Sequence, residues 1–178
     1  MISETVQETR MRSLRVGKVV LNIGVGKSGE AIERAKKVLE LLTGQTPSQR
    51  RAKKSIREFG VHKGEPIGVV VTLRGEQTTE LISRLLVARE KKIPQSSFDE
   101  RGSVSFGIKE HIEIPGTKYD PALGILGINV SILLERPGYR VARRLRRASR
   151  VGKEHIINRE EAISYFQSHF GAVVVMIE

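Results

Sequence analysis

The segment that most resembles a cofactor-binding motif is the glycine-rich stretch after the first apolar run of the chain. Gly24, Gly26 and Gly29 have the spacing G-x-G-x-x-G of dinucleotide-binding proteins, and the letters GKS within it resemble the end of a phosphate-binding loop. The phosphate-binding loop is excluded because it needs a glycine five residues before its Gly-Lys-Ser, where this chain has Leu21. A dinucleotide site needs an acidic residue at the end of a second strand about 20 residues further on, and residues 44–55 read GQTPSQRRAKKS instead.

Two interpretations of these glycines follow. A nucleotide-dependent enzyme that uses Gly24, Gly26 and Gly29 remains an alternative, while the simpler interpretation is a compact strand-to-helix turn with Ser28 as the helix N-cap. Elsewhere the four histidines lie on different elements without the spacing of metal ligands, and the chain has no cysteine. The residues therefore form no recognisable catalytic constellation, and the sequence predicts no catalytic residue, no metal ligand and no cofactor.

The composition favours a polyanionic partner. The 178 residues include 31 Lys and Arg against 20 Asp and Glu, which gives a net charge of +11 and a pI near 10.3. Lys and Arg that neutralise phosphates release counterions, so such a charge suits RNA or DNA, and a general DNA-binding protein remains a second alternative. No apolar run approaches the roughly 18 residues of a membrane span, and the absence of cysteine fits a reducing compartment. We expect a cytoplasmic protein without a membrane partner.

The hydrophobic pattern predicts an α+β fold with about five strands and three main helices. The predicted strands cover residues 15–24, 66–75, 103–114, 127–135 and 172–177. The predicted helices begin near Glu30, Glu76 and Asn158; Gly44 ends the first, Gly171 ends the last, and Asn158 forms a capping box with Glu161. The sequence shows no linker, so we expect one domain over residues 1–178, with an N-terminal half of about 14–90 and a C-terminal half of about 91–178.

The first two strands each have one apolar face and one mixed face, because successive side chains of a strand point to opposite sides. Val19, Leu21 and Ile23 alternate with Lys18, Val20 and Asn22, and the 66–75 strand alternates in the same way. If both strands belong to one sheet, its open surface gathers four polar or basic side chains: Lys18, Asn22, Thr72 and Arg74. An ordinary solvated sheet face is the alternative explanation.

Two other segments carry most of the positive charge. Residues 45–66 form a connection that is long for a compact domain, and we expect Ile56, Phe59 and Val61 to pack its base while its cations face outward. Residues 136–153 contain eight basic residues and no acid before Glu154, so we expect them to meet phosphate, in particular through Arg140, Arg143, Arg144, Arg146 and Arg147. Aromatic residues make up only 4% of the chain, which argues against a base-stacking platform.

Five separated blocks, in order, resemble the archaeal form of the family of large-subunit ribosomal protein number five. They are KVVLNIGVGKSGE, LELLTGQTP, AKKSIREFGVHKGEPIGVVVTLRGE, SFDERGSVSFGIKEHIEIPGTKYDP and LERPGYRVARR. The resemblance covers nearly the whole chain except residues 1–13. It implies a largely antiparallel sheet with helices packed on one face, and a place in the central protuberance of the ribosome. It also implies a structural protein that is not an enzyme and that does not form a homo-oligomer. The implied RNA partners are 5S rRNA, other large-subunit rRNA and peptidyl-site tRNA. The implied protein partners are neighbouring ribosomal proteins and a protein of the small-subunit head, to which the family forms a bridge.

The resemblance also assigns residues to these contacts. The positions that match the 5S rRNA contacts of the family are Lys18, Asn22, Gln45, Thr72 and Arg74. The positions on the extension toward peptidyl-site tRNA are Lys53, Lys54, Ser55, Phe59 and Lys63. From the residues themselves we add one hypothesis: the glycines of NIGVG have no side chains that would prevent the close approach of RNA to the backbone beside Asn22.

Overall fold

A computed structural model describes residues 11–117 and 119–175 as an α+β fold with seven strands and three helices. The strands are β1 (Arg15–Gly24), β2 (Ser48–Arg51), β3 (Pro66–Leu73), β4 (Lys92–Pro94), β5 (Ser103–Ile108), β6 (Ile128–Glu135) and β7 (Val173–Val175). The helices are α1 (Glu30–Thr43), α2 (Gln77–Ala88) and α3 (Arg159–Phe170). The α+β prediction is confirmed.

Five of the strands form one antiparallel sheet in the order β2-β3-β1-β6-β5. The central strand β1 comes from the N-terminal part of the chain, and its neighbour β6 comes from the C-terminal part. A separate parallel pair, β4 with β7, joins Lys92–Pro94 to Val173–Val175. The prediction of a five-stranded, antiparallel sheet is confirmed, but its fifth strand is β2, and the predicted 172–177 strand belongs to the separate pair.

The helices α1 and α2 owe their positions to apolar stripes that pack on the buried face of the sheet. Leu39 of α1 and Leu85 of α2 are fully buried in one cluster with Val19, Leu21 and Ile23 of β1. Helix α3 adds Phe166, whose ring meets that of Phe98 edge-on at 5.8 Å between centroids. Helix α1 ends at Gly44 in the left-handed conformation, and the Asn158–Glu161 capping box opens α3, both as predicted.

Two predictions of element boundaries were wrong, and a third is tested only in part. Residues 48–51 lie inside the connection predicted as a loop, but they form the edge strand β2 on β3. The predicted 103–114 strand ends at Ile108 and gives way to a short 3-10 turn at His111–Glu113. The final strand covers Val173–Val175, while residues 176–177 of the prediction lie outside the described part of the chain.

Candidate RNA interface

The face of the main sheet opposite the core carries polar side chains on four of its five strands, with Val20, Val70 and Leu133 between them. We call this surface the open sheet face and define it by six residues: Lys18, Asn22, Thr72, Ser105, Asn129 and Ser131. All of them are exposed or half-buried. Residues directly opposite in an antiparallel pair share a face, so the strand register fixes which of them are neighbours.

The register brings the two asparagines of this face together at the centre of the sheet. Asn22 on β1 lies opposite Asn129 on β6, and Asn129 lies opposite Gly107 on β5. A side chain at Gly107 would place its Cβ 3.5 Å from Oδ1 of Asn129, so the missing side chain leaves that amide uncovered. Two primary amides with free donors and acceptors are thus presented side by side.

Hydroxyl groups occupy the neighbouring row of the same face. Val20 of β1 lies between Thr72 of β3 and Ser131 of β6, and Ser131 lies opposite Ser105 of β5. The hydroxyl of Ser105 donates to that of Ser131 at 3.1 Å. Thr72 and Ser131 keep acceptor capacity that faces solvent, which suits contact with sugar hydroxyls.

Two cations lie at one end of this polar face, because Lys18 precedes Val19 and Arg74 follows Leu73, the partner of Val19 on β3. Lys18 is half-buried on β1, and Arg74 is exposed directly after β3 ends at Leu73. Neither takes part in an ion pair with another residue of the described part of the chain. Gln45 is exposed on the segment that follows Gly44 and leads into β2. The structure therefore gathers Lys18, Asn22 and Thr72 on one face, with Arg74 at the end of β3 and Gln45 ahead of the edge strand.

Sequence reasoning missed Asn129, Ser131 and Ser105. The alternation that identified Asn22 and Thr72 is equally clear in INVSILLE, where Ile128, Val130 and Ile132 are buried and the residues between them are exposed. The signal was present, and applying the same period-two test to β5 and β6 would have found these side chains.

The connection between β2 and β3 is an ordered hairpin extension, which we call the β2–β3 extension (residues 52–65). Main-chain hydrogen bonds link Ala52 to Glu65 at 2.8 Å and Gly64 to Ala52 at 2.9 Å. Further out, Ile56 and Val61 exchange both main-chain hydrogen bonds, at 2.9 and 3.2 Å. A 3-10 turn at Arg57–Phe59 forms the tip, and Gly60 closes it with φ 63°, a backbone conformation that favours glycine.

The predicted tRNA-contact residues occupy different positions on this extension. Lys53, Lys54 and Lys63 are exposed. The hydroxyl of Ser55 accepts a hydrogen bond from the main-chain N–H of Lys63 at 2.9 Å, so it braces the two arms of the hairpin. Phe59 is 71% exposed and Ile56 44% exposed, which corrects the prediction that these two side chains pack the base of the loop; Val61 is half-buried.

The glycine-rich turn of the first motif supports the β2–β3 extension. Glu65 accepts hydrogen bonds from the hydroxyl of Ser28 and from the main-chain N–H of His62, the latter at 2.9 Å. The His62 hydrogen bond first, and the Ser28 hydrogen bond second, lower the pKa of the Glu65 carboxyl below its ordinary value. The prediction of Ser28 as N-cap was wrong: Gly29, with φ 103°, holds that position, and Ser28 is engaged with Glu65.

The glycines on this turn make it possible to reverse the chain sharply between β1 and α1. Gly26 and Gly29 both have positive φ, at 74° and 103°. The main-chain N–H groups of Val25 and Gly26 both donate to the carbonyl of Ile67, at 3.0 and 2.9 Å. These N–H groups are therefore committed to β3, whereas a dinucleotide site would direct them at a phosphate.

The segment 136–153, which we call the arginine arm, carries fewer free charges than its sequence suggests. Arg136 is buried and pairs with Glu161 at 2.7 Å, and Arg143 pairs with the buried Glu135. These two pairs correct the expectation that all eight cations meet phosphate, because Arg136 and Arg143 pair with acids that lie outside the segment. Four predicted phosphate-binding residues are exposed and belong to none of the ion pairs within the described residues: Arg140, Arg144, Arg146 and Arg147.

Local hydrogen bonds give the arginine arm a defined shape. The hydroxyl of Tyr139 donates to the carbonyl of His155 at 3.0 Å and accepts from the N–H of Ile157 at 3.1 Å. At the tip, Nε of Arg144 donates to the carbonyl of Arg147 at 2.8 Å. Arg147 itself has φ 53°, so the turn holds a conformation that residues other than glycine seldom adopt.

Other kinds of site find no support in the described residues. Among residues 11–117 and 119–175, no group of three or more His, Asp or Glu side chains is arranged to hold a metal ion. No helix in the same ranges is long and apolar enough to cross a membrane.

Comparison with known proteins gives a consistent result over nearly the whole chain. Residues 10–62 match the family described as ribosomal protein L5, and residues 66–164 match the model of the C-terminal part of that ribosomal family. Three similar curated proteins are each named large ribosomal subunit protein uL5. That of Pyrobaculum aerophilum is 54% identical, covering 92% of each chain. That of Sulfurisphaera tokodaii is 49% identical over 98% of this chain and 99% of the relative. That of Nitrosopumilus maritimus is 49% identical over 94% of this chain and 96% of the relative.

These matches decide between the alternatives left open by the glycine motif. The relatives are structural ribosomal proteins and not enzymes, so the nucleotide-dependent enzyme is excluded. The sequence blocks that suggested the archaeal form of the family agree with relatives from archaeal species. The chain, with its antiparallel sheet, its polar open face and its basic extensions, belongs to the ribosomal protein L5 family.

Proposed function

We propose that this protein is a component of the large subunit of the cytoplasmic ribosome, where it binds 5S rRNA through the open sheet face and helps attach that RNA to the subunit. The observation that carries the proposal is the pair of amides at Asn22 and Asn129, next to the hydroxyls of Thr72 and Ser131. This combination of groups suits RNA, because amides and hydroxyls both donate to and accept from 2′-hydroxyls and base edges. Lys18 lies on the same face and Arg74 directly follows β3, where the two cations can pair with phosphates, and the amide of Gln45 precedes β2.

Other parts of the chain serve other contacts in this proposal. The arginine arm meets large-subunit rRNA through Arg140, Arg144, Arg146 and Arg147. The β2–β3 extension reaches toward peptidyl-site tRNA with Lys53, Lys54 and Lys63. The protein lies in the central protuberance among neighbouring ribosomal proteins, bridges to a protein of the small-subunit head, and acts as a single domain and not as a homo-oligomer. Support for the single domain comes from the central pairing of β1 with β6, which joins the two halves of the chain.

A competition experiment tests the choice of 5S rRNA as ligand. The full chain is bound to labelled 5S rRNA at physiological salt and challenged with unlabelled 5S rRNA, a transfer RNA, or duplex DNA of matching charge. We expect 5S rRNA to compete at a concentration at least about 100-fold lower than duplex DNA, since specific contacts add to the charge attraction that all polyanions share. Equal competition by duplex DNA would support the general DNA-binding alternative and reject the proposal.

The arginine arm should increase the affinity for large-subunit rRNA without discriminating between RNA sequences. In a triple variant, Arg140, Arg146 and Arg147 are changed to Gln. Arg143 is kept because it pairs with Glu135, and Arg144 is kept because its Nε donates to the main-chain carbonyl of Arg147. We expect the slope of log affinity against log salt for large-subunit rRNA to fall by about 0.7–0.9 for each phosphate that the variant no longer neutralises. The matched control changes three exposed lysines elsewhere to Gln: Lys37, Lys91 and Lys109. An equal change of slope in both triple variants would show that the arm makes no special contact.

A further inference from the structure

A buried carboxylate lies at the end of the open sheet face, where the arginine arm begins. Glu135 is the last residue of β6 and is 7% exposed. Asn129 and Ser131 of the same strand belong to the open sheet face, and side chains two residues apart share a face, so Glu135 continues their row. A carboxylate on an RNA-binding face repels phosphate unless a cation covers it. Neither the proposed 5S contacts nor the phosphate contacts of the arm account for this residue.

Gly17 of β1 provides the seat for this carboxylate. The register of β1 with β6 shifts between Val16 and Lys18, so Gly17 is the extra residue of a β-bulge. A Cβ atom at Gly17 would lie 2.5 Å from both Cγ and Oε1 of Glu135, far closer than non-bonded atoms approach. The side chain of Glu135 therefore lies directly against the backbone of β1, in space that a glycine leaves free.

Arg143 of the arginine arm covers the carboxylate. Its guanidinium forms an ion pair with Oε1 of Glu135, which joins the arm to the sheet, whereas Arg136 joins the arm to α3 through Glu161. The main-chain N–H of Arg143 donates to the carbonyl of Arg140 at 3.0 Å. The ion pair with Glu135 therefore fixes both the point where the arm returns to the sheet and the turn that presents Arg140.

We propose that Glu135 is a positioning residue for RNA binding: seated on Gly17, it holds Arg143 and so docks the arginine arm beside the open sheet face. The inference rests on the proposed function, in which these two surfaces meet different RNAs, and it adds the contact that fixes one surface relative to the other. Because the arm is already docked before RNA arrives, binding orders fewer residues. The 5S rRNA and the large-subunit rRNA are thereby held in a defined mutual orientation.

The effect of removing the charge of Glu135 separates positioning from simple charge attraction. Glu135→Gln removes a negative charge from an RNA-binding protein, so charge alone predicts tighter binding, whereas loss of the docked arm predicts weaker binding. The probe is large-subunit rRNA freed of protein and of 5S rRNA. We expect Glu135→Gln to weaken its binding about 3- to 10-fold at fixed salt, because the undocked arm must be ordered on binding. Glu110→Gln is the matched control, since it makes the same charge change at an exposed carboxylate, and its affinity should not fall.

Gly17→Ala tests the seat without any change of charge. The added methyl group takes the space of the end of the Glu135 side chain, which is flexible and can move outward while the strands stay paired. We expect the same 3- to 10-fold loss of affinity, about as large as in Glu135→Gln. Gly152→Ala is the matched control, because a Cβ there meets nothing within 4 Å.

Hydrogen exchange without RNA gives an independent measure of docking. The N–H of Arg143, bonded to Arg140, should exchange at least about 5-fold faster in Glu135→Gln and in Gly17→Ala than in the intact protein, because the undocked arm opens more often. Adding Arg143→Gln to Glu135→Gln should not speed the exchange of neighbouring amides further, since the two side chains act as one pair. The affinity for 5S rRNA should stay within about twofold in Glu135→Gln, because its proposed contacts are elsewhere.

An affinity of Glu135→Gln for large-subunit rRNA equal to or above that of the intact protein would overturn the proposal, as would unchanged exchange at Arg143 in both variants. Thermal unfolding of the whole protein together with loss of 5S affinity would show that Glu135 serves the fold, and would also overturn the positioning role. Failure of the intact protein to bind large-subunit rRNA would instead reject the proposed function, while exchange measured without RNA still decides whether Glu135 docks the arm.

Discussion

Replacement of Asn22 or Asn129 by Ala is expected to weaken binding of 5S rRNA by about 1–3 kcal/mol each, which is roughly 5- to 150-fold in affinity. Each substitution removes an amide that can make two or more polar contacts, and the two amides lie opposite each other on adjacent strands. The double variant should differ in affinity from the sum of the single effects, because neighbouring groups that contact one ligand are coupled. Fluorescence anisotropy with labelled 5S rRNA at fixed salt measures the affinities.

The fold should survive both substitutions, since neither side chain belongs to the buried cluster. Thermal unfolding of each variant checks this point. Gln77→Ala is a suitable control because it removes an exposed amide from α2, away from the open sheet face. Unchanged 5S affinity in both asparagine variants would reject the open sheet face as the binding surface, and an equal decrease in the Gln77 variant would show that the effect is not specific.

The strands of the main sheet were predictable where burial imposes a regular alternation. In β1, three alternate residues are each no more than 1% exposed, Val19, Leu21 and Ile23, while the residues between them are half-buried. The sequence of β1 alone therefore predicts which of its faces is buried. The same argument placed Lys18, Asn22 and Thr72 on one surface on the condition that the two strands share a sheet, and the pairing of β1 with β3 fulfils that condition. Asn129 was equally predictable from β6, since its apolar face alternates in the same way.

Short strands outside the centre of the main sheet were hard to predict, because their side chains do not alternate regularly between buried and exposed positions. Strand β2 reads SQRR and has exposed or half-buried side chains throughout, so only its hydrogen bonds with β3 make it a strand. Strand β4 has three residues, too few for a period to show, and the sequence did not predict it. Strand β7 lies within the predicted 172–177 strand, but its parallel pairing with β4 across most of the C-terminal half of the chain was not predictable, because it depends on tertiary contacts.

Polar contacts between residues far apart in the chain could not be predicted either, because no local sequence pattern indicates them. The sequence shows Arg136 as one cation in a basic run, but the fold buries it against Glu161 of α3. Ser28 was assigned to the helix that follows it, yet its hydroxyl reaches Glu65, 37 residues later. A local rule such as N-cap preference is overridden when a distant acceptor is brought within reach.

Removal of the outer part of the β2–β3 extension is expected to separate two RNA contacts. The variant replaces residues 54–63 by Gly-Gly and keeps the hydrogen bonds between Ala52 and the Gly64–Glu65 pair at the base. We expect 5S rRNA affinity to stay within about twofold, because a well-separated site adds independently. Peptidyl-site tRNA should dissociate about 5- to 30-fold faster from ribosomes that carry the variant. That range corresponds to about 1–2 kcal/mol, the net value of one or two polar interactions.

A second variant keeps the hairpin and removes its charges by changing Lys53, Lys54 and Lys63 to Gln. Because these lysines are exposed and belong to no ion pair in the described part of the chain, the fold should be unaffected. Acceleration of tRNA dissociation in both variants would assign the contact to phosphates, and acceleration in the deletion alone would assign it to Phe59 and its neighbours. Both effects should be similar for different tRNAs, since cations and an apolar ring read no base edges. A decrease in 5S affinity with unchanged tRNA dissociation would place the extension on 5S rRNA and contradict the proposed division of contacts.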